Sequence, residues 1–342
     1  MCKKILSISI AAYQVEKTIE ECLDSFLTSK YLSELELLVI NDGSNDKTVE
    51  IVKKYEQKYP QIIKLVNKEN GGHGSTINKS LELATGKFFK VIDGDDWVDV
   101  NALDCLIEVL KNTTVDLIIN SYCEIYPNKE RVIAKYQEFE QGKIYDFSDV
   151  FHKSNMRKKV IVMHETTILT ERLRAVGMHI LEKCFYADTY FTYYVGLAAR
   201  TVMFHNSCVY QYRLGCEGQS VSAIGVYKHI EDLIKVQQGL IDNYFNLSHE
   251  TMESERLKYL VRILNNAYTT MCCWYVDMIS QANKDYLLIE FINKLKREHL
   301  ALMNEFDLSI NNRLISTNPN LFIPLIRWTK QCKIKKWLTH HI

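Results

Sequence analysis

Several features that would assign this 342-residue chain to other classes of protein are missing from it. Acidic and basic residues balance at 42 each, so no overall field recruits a polyanion, and we expect no nucleic-acid partner. No run approaches the roughly 18 apolar residues that a membrane-spanning helix needs. The N-terminus, Met-Cys-Lys-Lys, leads straight into a strand-like run without the apolar core of a signal peptide. These absences predict a cytoplasmic protein.

A cysteine framework is also missing. The ten cysteines are scattered, and none of them forms a Cys-x-x-Cys pair. A chain that is not exported keeps its thiols reduced, so we interpret these residues as small buried hydrophobic side chains. Apolar residues make up 47% of the chain and charged residues 25%, which is typical of a protein with a substantial core.

Strand-like and helical patterns alternate through the first 120 residues. Strands are expected at residues 5–10, 36–40, 62–66, 88–92 and 115–119, with helical faces between them. This alternation predicts an α/β protein whose mostly parallel sheet has right-handed crossovers and binds ligands beyond the carboxyl ends of its strands. No Gly-x-Gly-x-x-Gly follows the first strand, so a dinucleotide-binding fold loses its main support.

From about residue 224 the pattern changes to long helices, expected at residues 227–244, 253–278 and 285–306. We therefore divide the chain into a domain of residues 1–222 and a helical C-terminal region of residues 223–342.

The C-terminal end, residues 321–337, mixes apolar, aromatic and basic side chains. Lysines next to Trp328 and Trp337 favour contact with an anionic lipid surface. A solvated terminal helix explains the same pattern slightly better, and both interpretations stay open.

An acidic cluster follows the expected strand at residues 88–92. Asp93, Asp95 and Asp96 place three carboxylates within four residues, and these repel one another unless a positive charge lies among them. A hard divalent cation such as Mg²⁺ or Mn²⁺ suits oxygen ligands and bridges to a diphosphate. Gly94 is expected to leave the backbone free to approach the ligand. The alternative is a solvated acidic turn, and the position after an apolar strand favours the metal.

Two further loops stand at strand ends. Asp42 can accept hydrogen bonds from a base or a sugar, although a plain turn explains it alone. Residues 70–75 read Asn-Gly-Gly-His-Gly-Ser, a loop whose backbone amides are expected to face a diphosphate. We interpret His73 as an ordinary loop side chain. Because the carboxyl ends of parallel strands meet at one edge, Tyr13, Asp42 and the acidic cluster are expected to share one cleft.

These motifs, in this order and spacing, resemble the inverting family 2 glycosyltransferases. That family's strand endings, Pro-x-Tyr-Asn and Asp-Asp-Gly-Ser-x-Asp-x-Thr, match residues 11–14 and 41–48 here, and its Gly-Gly loop and Asp-x-Asp-Asp motif match residues 70–72 and 93–96. The resemblance covers roughly residues 5–222. It implies a GT-A fold, which is Rossmann-like with a mostly parallel sheet flanked by helices, followed here by the helical C-terminal region.

The resemblance implies transfer of a sugar from a UDP-sugar donor, assisted by Mg²⁺ or Mn²⁺. Tyr13 and Asp42 match the base-binding pair, Asp93 the residue near the ribose, and Asp95 the metal ligand. Arg213 and Ser220 match a segment that folds over the donor. The residues that the resemblance places on the nucleotide-sugar are Ala12, Tyr13, Asp42, Asn70, Gly71, Asn78, Asp93, Gly94, Asp95, Arg213 and Ser220.

On the acceptor side the resemblance implies Asp96 and Trp97, and His164 is expected where a strand meets a helix facing the cleft. The family's catalytic base belongs to a Glu-Asp pair that opens a helix, and that position is Asp188 here. Its alternative role is a stabilising carboxylate at a helix N-terminus.

The implied enzyme is a hexosyl- or N-acetylhexosaminyl-transferase. Its implied acceptor is a hydroxyl of a glycan or lipid-linked glycan in cell-surface polysaccharide synthesis. The implied location is the cytoplasm or the inner face of the membrane.

Two positions depart from the family pattern. Ile77 stands where the family has an arginine on the diphosphate, and Ala187 replaces the glutamate of the Glu-Asp pair. Lys79 and Arg213 are candidates to replace the lost arginine. These departures support one rival, a non-catalytic relative that only binds nucleotide-sugar. A nucleotidyltransferase is the other rival, although residues 11–17 lack the glycine-rich loop that such an enzyme normally shows.

Overall fold

The computed structural model describes residues 4–133, 136, 138–152, 159–215, 223–277 and 284–327. The chain divides into two compact units, one ending at Cys216 with residues 253–256 added, the other comprising the remaining C-terminal residues. The predicted boundary at residues 222 and 223 adjoins residues 216–222, which lie outside the described residues, and it stays a prediction.

The first unit contains a mixed sheet. Within the described residues its strands are β1 (Leu6–Ala12), β2 (Leu35–Asn41), β3 (Ile63–Asn67), β4 (Phe88–Asp93), β5 (Trp97–Val98), β6 (Leu117–Tyr126), β7 (Lys129–Ile133), β8 (Ile144–Asp146), β9 (Thr166–Leu169) and β10 (Thr201–Arg213). Their order is β3-β2-β1-β4-β9-β6-β10-β5, with β7 paired to β6 and β8 to β10.

Most pairs in the centre of the sheet are parallel. Strand β1 pairs in parallel with β2 and β4, β2 with β3, and β6 with β10. Strand β9 lies antiparallel between β4 and β6. Apolar side chains on both faces of β2 and β4 are fully buried, and on β1 the apolar face and the opposite Ser7 and Ser9 are buried too, as expected of parallel strands covered by helices. The predicted mostly parallel α/β sheet is confirmed.

Helices of the first unit cover the sheet and present apolar faces to it. Helix α1, for example, buries Ile19, Cys22, Leu23 and Phe26, which recur at helical spacing. The helices are α1 (Ile19–Leu27), α2 (Thr48–Lys58), α3 (His73–Leu83), α4 (Val100–Asn112), α5 (Phe147–His152), α6 (Thr170–Ala175) and α7 (Asp188–Ala198).

The second unit is helical, as predicted. A buried ion pair holds part of it together: Arg327 Nη1 and Nη2 donate to the two oxygens of Asp285 at 2.5 and 2.7 Å. The helices are α8 (Ala223–Phe245), α9 (Ser254–Asp277, whose first turn belongs to the first unit), α10 (Asp285–Glu298), α11 (Leu300–Glu305) and α12 (Ile310–Thr317), followed by helical residues 319–327. Among the described helices, none has both the length and the apolar character needed to cross a membrane.

Candidate functional site

The carboxyl ends of β1, β2 and β4 form one edge of the sheet, because these strands are parallel neighbours. Tyr13 follows β1 and is 49% exposed, whereas Ala12 before it is buried. Asp42 follows β2 and is only 3% exposed. Asp93 is the last residue of β4. The structure therefore brings together the strand-end residues that the sequence places at one cleft.

Gly94 allows the acidic turn to approach β1 closely. Its backbone N–H donates to the carbonyl oxygen of Ala11 at 3.0 Å. A Cβ atom at residue 94 would lie 2.6 Å from that same oxygen. Gly94 thus fastens the turn to β1, which differs from its expected role of leaving room for a ligand.

Asp42 organises the glycine loop at residues 70–72. Its Oδ1 accepts from Gly71 N and from Lys68 Nζ, each at 2.8 Å, and its Oδ2 accepts from Gly72 N at 2.8 Å. Asn70 Nδ2 donates to the Asp42 carbonyl oxygen at 3.0 Å. The two glycine amides therefore donate to Asp42, and their expected contact with a diphosphate stays a prediction. A buried carboxylate requires such donors.

His73, the first residue of α3, forms an ion pair with the acidic cluster. Its Nε2 lies 2.8 Å from Asp93 Oδ1. Burial alone would lower the pKa of His73, but the charge and hydrogen bond of Asp93 raise it to about 9, helped by Asp188 and Asp95. In return His73 lowers the pKa of Asp93 against the effect of burial. Sequence analysis missed this role, and its only signal was the position directly after Gly72 at a helix N-terminus.

Tyr210 and Arg213 on β10 engage Asp96. The Tyr210 hydroxyl lies 2.6 Å from Asp96 Oδ2 and 3.1 Å from Asp93 Oδ2, and Arg213 N donates to Asp96 Oδ1 at 2.7 Å. Asp96 is 1% exposed. Burial and the charges of Asp95 and Asp93 raise the pKa of Asp96 to about 9. Both oxygens of Asp96 thus accept from residues of β10, and its expected role on the acceptor side stays a prediction.

Asp95 is the carboxylate of the cluster that suits a metal. Burial and the charge of Asp93 raise the pKa of Asp95 to about 6. Its described contact with Arg213 is made by the carbonyl oxygen, and no other described residue donates to the carboxylate. No group of three or more His, Cys, Asp or Glu side chains in the described part of the chain is arranged to hold a metal. Mg²⁺ often takes one or two carboxylates and completes its shell with water and substrate phosphates, so Asp95 fits a metal shared with a ligand.

Arg213 clamps the turn that follows the acidic cluster. Its Nη2 donates to Glu21 Oε2 at 2.6 Å and its Nε to the Asp95 carbonyl oxygen at 2.8 Å. Its guanidinium also lies 4.5 Å from the centre of the Trp97 ring. The expected diphosphate contact of Arg213 is thus replaced by protein contacts in this structure. Ser220, expected in the same lid, lies outside the described residues.

Helix α3 anchors the segment that leads to α7. Asn78 Nδ2 donates to the Ile180 carbonyl oxygen at 2.9 Å, and Ile180 N donates to Asn78 Oδ1 at 2.8 Å. A Cβ atom at Gly74 would collide with the carbonyl oxygen of Leu181. Asn78 therefore positions protein backbone, in place of its expected contact with the donor.

Asp188 is the first residue of α7, as predicted. Burial and the charge of Asp93 raise the pKa of Asp188, while His73 opposes the rise. Because Asp93 and His73 both affect its pKa, Asp188 lies in the same electrostatic environment as the acidic cluster. Two non-glycine residues just before it, Lys183 and Tyr186, have left-handed φ angles of 51° and 62°, a strain typical of functional sites.

His164 belongs to an aromatic cluster beside the acidic turn. Its ring centre is 4.4 Å from that of Tyr212, 4.7 Å from Tyr210 and 5.4 Å from Tyr122. The fully buried Lys90 donates to the His164 carbonyl oxygen at 3.0 Å, and burial lowers the pKa of Lys90 to about 7. The structure thus places His164 near Asp93, and its contact with an acceptor stays a prediction.

Similar sequences come from one family. Residues 7–172 match the family described as Glycosyl transferase family 2. EpsH of Bacillus subtilis (strain 168), which carries a glycosyltransferase name, is 27% identical over 223 residues, covering 61% of this chain and 60% of that protein. The hyaluronan synthase of Pasteurella multocida is 31% identical over 143 residues, covering 41% of this chain and 14% of that protein. The alignments thus span 60% or less of the length of these two relatives.

Similar structures extend the likeness over nearly the whole chain. The S. aureus TarS 1–349 structure in complex with UDP-GlcNAc has a TM-score of 0.67 at 17% identity, covering 97% of this chain and 92% of that one. The mannosyltransferase PcManGT from Pyrobaculum calidifontis, solved with GDP-Man and Mn²⁺, has a TM-score of 0.54 at 15% identity, covering 95% and 86%. At these identities the likeness shows the fold.

Proposed function

We propose that this chain, whose residues 7–172 match Glycosyl transferase family 2 and whose fold is GT-A, transfers a sugar from a UDP-sugar to a hydroxyl acceptor with inversion at the anomeric carbon. The observation that carries this proposal is the His73–Asp93 ion pair at the edge where β1 and β2 also end, with Asp188 near enough for both partners to affect its pKa. In this proposal one cleft contains Tyr13 to bind the nucleotide base, Asp95 to bind a metal and Asp188 to act as the catalytic base.

The uracil of the donor stacks on Tyr13 in this proposal, because its ring is the exposed aromatic at the strand edge. Asp42 accepts from the uracil N3–H. Each carboxylate oxygen has two acceptor positions, so Asp42 can hold the glycine loop and bind the base together. A nucleotide-sugar donor is supported by the UDP-GlcNAc in the TarS structure of the same fold.

Asp95 would hold Mg²⁺ or Mn²⁺ together with the donor diphosphate. The bound cation supplies positive charge that stabilises the departing diphosphate. Asp93, Asp96, Tyr210 and Arg213 form the hydrogen-bonded frame that fixes the turn carrying Asp95.

Asp188 takes the proton of the acceptor hydroxyl as the hydroxyl oxygen attacks the anomeric carbon. Burial and the charge of Asp93 raise the pKa of Asp188, which favours uptake of the acceptor proton, and His73 limits the rise. Attack opposite the leaving diphosphate then inverts the configuration.

The acceptor we propose is a glycan or lipid-linked glycan in cell-surface polysaccharide synthesis, with transfer of a hexosyl or N-acetylhexosaminyl group in the cytoplasm or at the inner membrane face. Support comes from similar proteins named hyaluronan synthase and chondroitin synthase. The proposed membrane contact through the basic, aromatic C-terminus involves residues 328–342, which lie outside the described residues.

UDP release from a panel of UDP-sugars, with water or added glycosides as acceptor, tests this function. The wild type should release UDP in the presence of Mg²⁺ or Mn²⁺, and Asp188→Asn should slow release by about 10²- to 10⁴-fold. The exposed Asp149→Asn is the matched control and should behave as wild type. Binding without release in every condition would indicate the non-catalytic relative. Formation of UTP and sugar 1-phosphate from the UDP-sugar and added pyrophosphate would indicate a nucleotidyltransferase.

A further inference from the structure

The donor site that follows from the proposed function must accept a diphosphate among carboxylates. Asp93, Asp95 and Asp188 are close enough to influence the same imidazole. An incoming diphosphate adds further negative charge, which such a site tolerates only where cationic donors face it. A metal held by Asp95 would be one source of positive charge, and a protein cation beside the glycine loop would be a second.

Three cations that could serve this loop, Arg213, Lys79 and Lys68, are bound to protein groups. Arg213 binds Glu21 and the Asp95 carbonyl oxygen. Lys79 binds both oxygens of Glu82 at 2.8 and 2.9 Å.

Lys68 is committed in the same way. Its three ammonium protons serve Asp42 Oδ1 at 2.8 Å, the Glu69 carbonyl oxygen at 2.6 Å and Ser75 Oγ at 2.8 Å. Lys68 therefore fixes the loop and has no donor left for a ligand.

His73 is placed differently. Asp93 takes its Nε2, and no described residue takes its Nδ1. The side chain is 32% exposed, so a ligand can reach it. It opens α3 directly after Gly72, where the helix dipole also favours an anion. The high pKa of His73 means that both ring nitrogens carry a proton at neutral pH.

We infer that His73 donates from its imidazolium to the donor diphosphate, while Asp93 holds the ring in position. Ile77, where the family has its arginine, lies one turn further along α3 and is fully buried. The cationic side chain of this protein, His73, therefore lies one helical turn closer to the glycine loop than the arginine of the family does. His73 is then a binding residue for the diphosphate, and Asp93 acts on the diphosphate through it.

Calorimetric binding of UDP and UMP in the presence of Mg²⁺ tests this inference. UMP lacks the second phosphate, so the ratio of the two affinities reports the diphosphate contact. His73→Gln keeps an amide near Asp93 without the charge, and His73→Arg keeps the charge. The exposed His179→Gln is the matched control.

We expect His73→Gln to weaken UDP binding about tenfold or more, as loss of a charge-assisted hydrogen bond does, with UMP binding nearly unchanged. His73→Arg should restore most of the preference for UDP, and His179→Gln should match wild type. Thermal unfolding of each variant checks that it is folded. If His73→Gln lowered the affinities for UDP and UMP equally, His73 would only hold Asp93 in place, and the inference would be overturned. If the wild type bound neither nucleotide, the proposed function itself would fail, which is a different result.

Discussion

Asp95 and Asp96 are neighbours in sequence but have different surroundings. The Asp96 carboxyl group is buried against Tyr210 and Arg213, with its pKa raised to about 9. Asp95 presents a carboxylate to which no described side chain donates, with a pKa of about 6. Above pH 6 Asp95 is ionised and can bind a cation, whereas Asp96 stays protonated up to about pH 9.

The matched variants Asp95→Asn and Asp96→Asn test this division. Asp95→Asn should abolish the Mg²⁺-dependent part of UDP binding, because an amide is a poor ligand for a hard cation. Asp96→Asn should keep it, since a neutral amide can still contact Tyr210 and Arg213. UDP titrations with Mg²⁺ and with EDTA measure both. Metal-dependent binding that survives Asp95→Asn would contradict the assignment.

Lys90 makes the stability of the first unit depend on pH. Its pKa is about 7 when folded, against an ordinary value of 10.5, so between these values the unfolded chain binds the extra proton. The free energy of unfolding therefore rises with pH across this window, by at most about 1.4 kcal/mol per pH unit. The stability gained in this way is lost again as pH falls towards 7.

Lys90→Met should remove this dependence. Urea unfolding of wild type and variant at several pH values from 7 to 10 should show a stability difference that shifts in favour of wild type as pH rises. The exposed Lys53→Met serves as control, and its stability should follow that of wild type at every pH. A Lys90→Met curve parallel to wild type would show that Lys90 is ionised throughout.

At the residue scale, sequence analysis found the acidic residues but not their partners. Asp93, Asp95 and Asp188 were identifiable from motifs and from the helix start that Asp188 makes. Tyr210 and His73 were not, because their contacts with Asp93 span 117 and 20 positions and depend on how the strands assemble. Buried Lys90 breaks the apolar pattern of β4, and its partners are backbone carbonyls that no side-chain motif reveals.

Helix α3 links the glycine loop to the segment before α7. Asn78→Ala would remove its hydrogen bonds to Ile180 and should cost about 1–3 kcal/mol of stability. Because this segment leads to Asp188, we expect turnover to fall about tenfold while UDP affinity changes little.

Steady-state UDP release and UDP calorimetry separate these two effects, with Asn112→Ala on α4 as control. Asn112 also donates to a carbonyl, that of Glu108 at 3.0 Å. The opposite outcome, weaker UDP binding with normal turnover, would indicate that Asn78 contacts the donor, as the family resemblance implies.

At the scale of elements, the central strands and helices were predictable because their apolar periods are regular. The expected strands at residues 5–10, 36–40, 62–66 and 88–92 fall on β1 to β4. Helix α1 begins only at Ile19, because the chain first turns after β1, with Gln14 at a φ of 54°. The antiparallel insertion of β9 could not be predicted, because pairing order depends on long-range contacts.

In the second unit, substitution of the Arg327–Asp285 ion pair tests how much this pair contributes to the free energy of unfolding. Arg327→Met would leave Asp285 buried without its cation, which typically costs about 3–5 kcal/mol. The double variant Arg327→Met/Asp285→Leu should recover part of this loss. Urea unfolding followed by circular dichroism measures it.

UDP affinity under native conditions should be the same in wild type and in Arg327→Met, because the contacts proposed for UDP lie in the first unit, at Tyr13, Asp42, His73 and Asp95. A loss of UDP affinity in the folded variant would show that the second unit contributes to the donor site.

For the whole molecule, the two-part organisation follows from the change of period near residue 224, and the family followed from four motifs in order. The expected single helix at residues 285–306 is broken at His299, whose φ of −138° ends α10 before α11 begins. Periodicity alone does not report such a break, because both helices continue an amphipathic pattern. The acceptor is not encoded in any motif found here.

The most direct test of the account is an experimental structure with a UDP-sugar and Mn²⁺ bound. We predict uracil stacked on Tyr13, the cation bound to an Asp95 carboxylate oxygen, the diphosphate within hydrogen-bond distance of His73, and Asp188 on the side of the anomeric carbon opposite the diphosphate. A nucleotide bound away from the edge formed by β1, β2 and β4, or a cation without Asp95 among its ligands, would contradict the account.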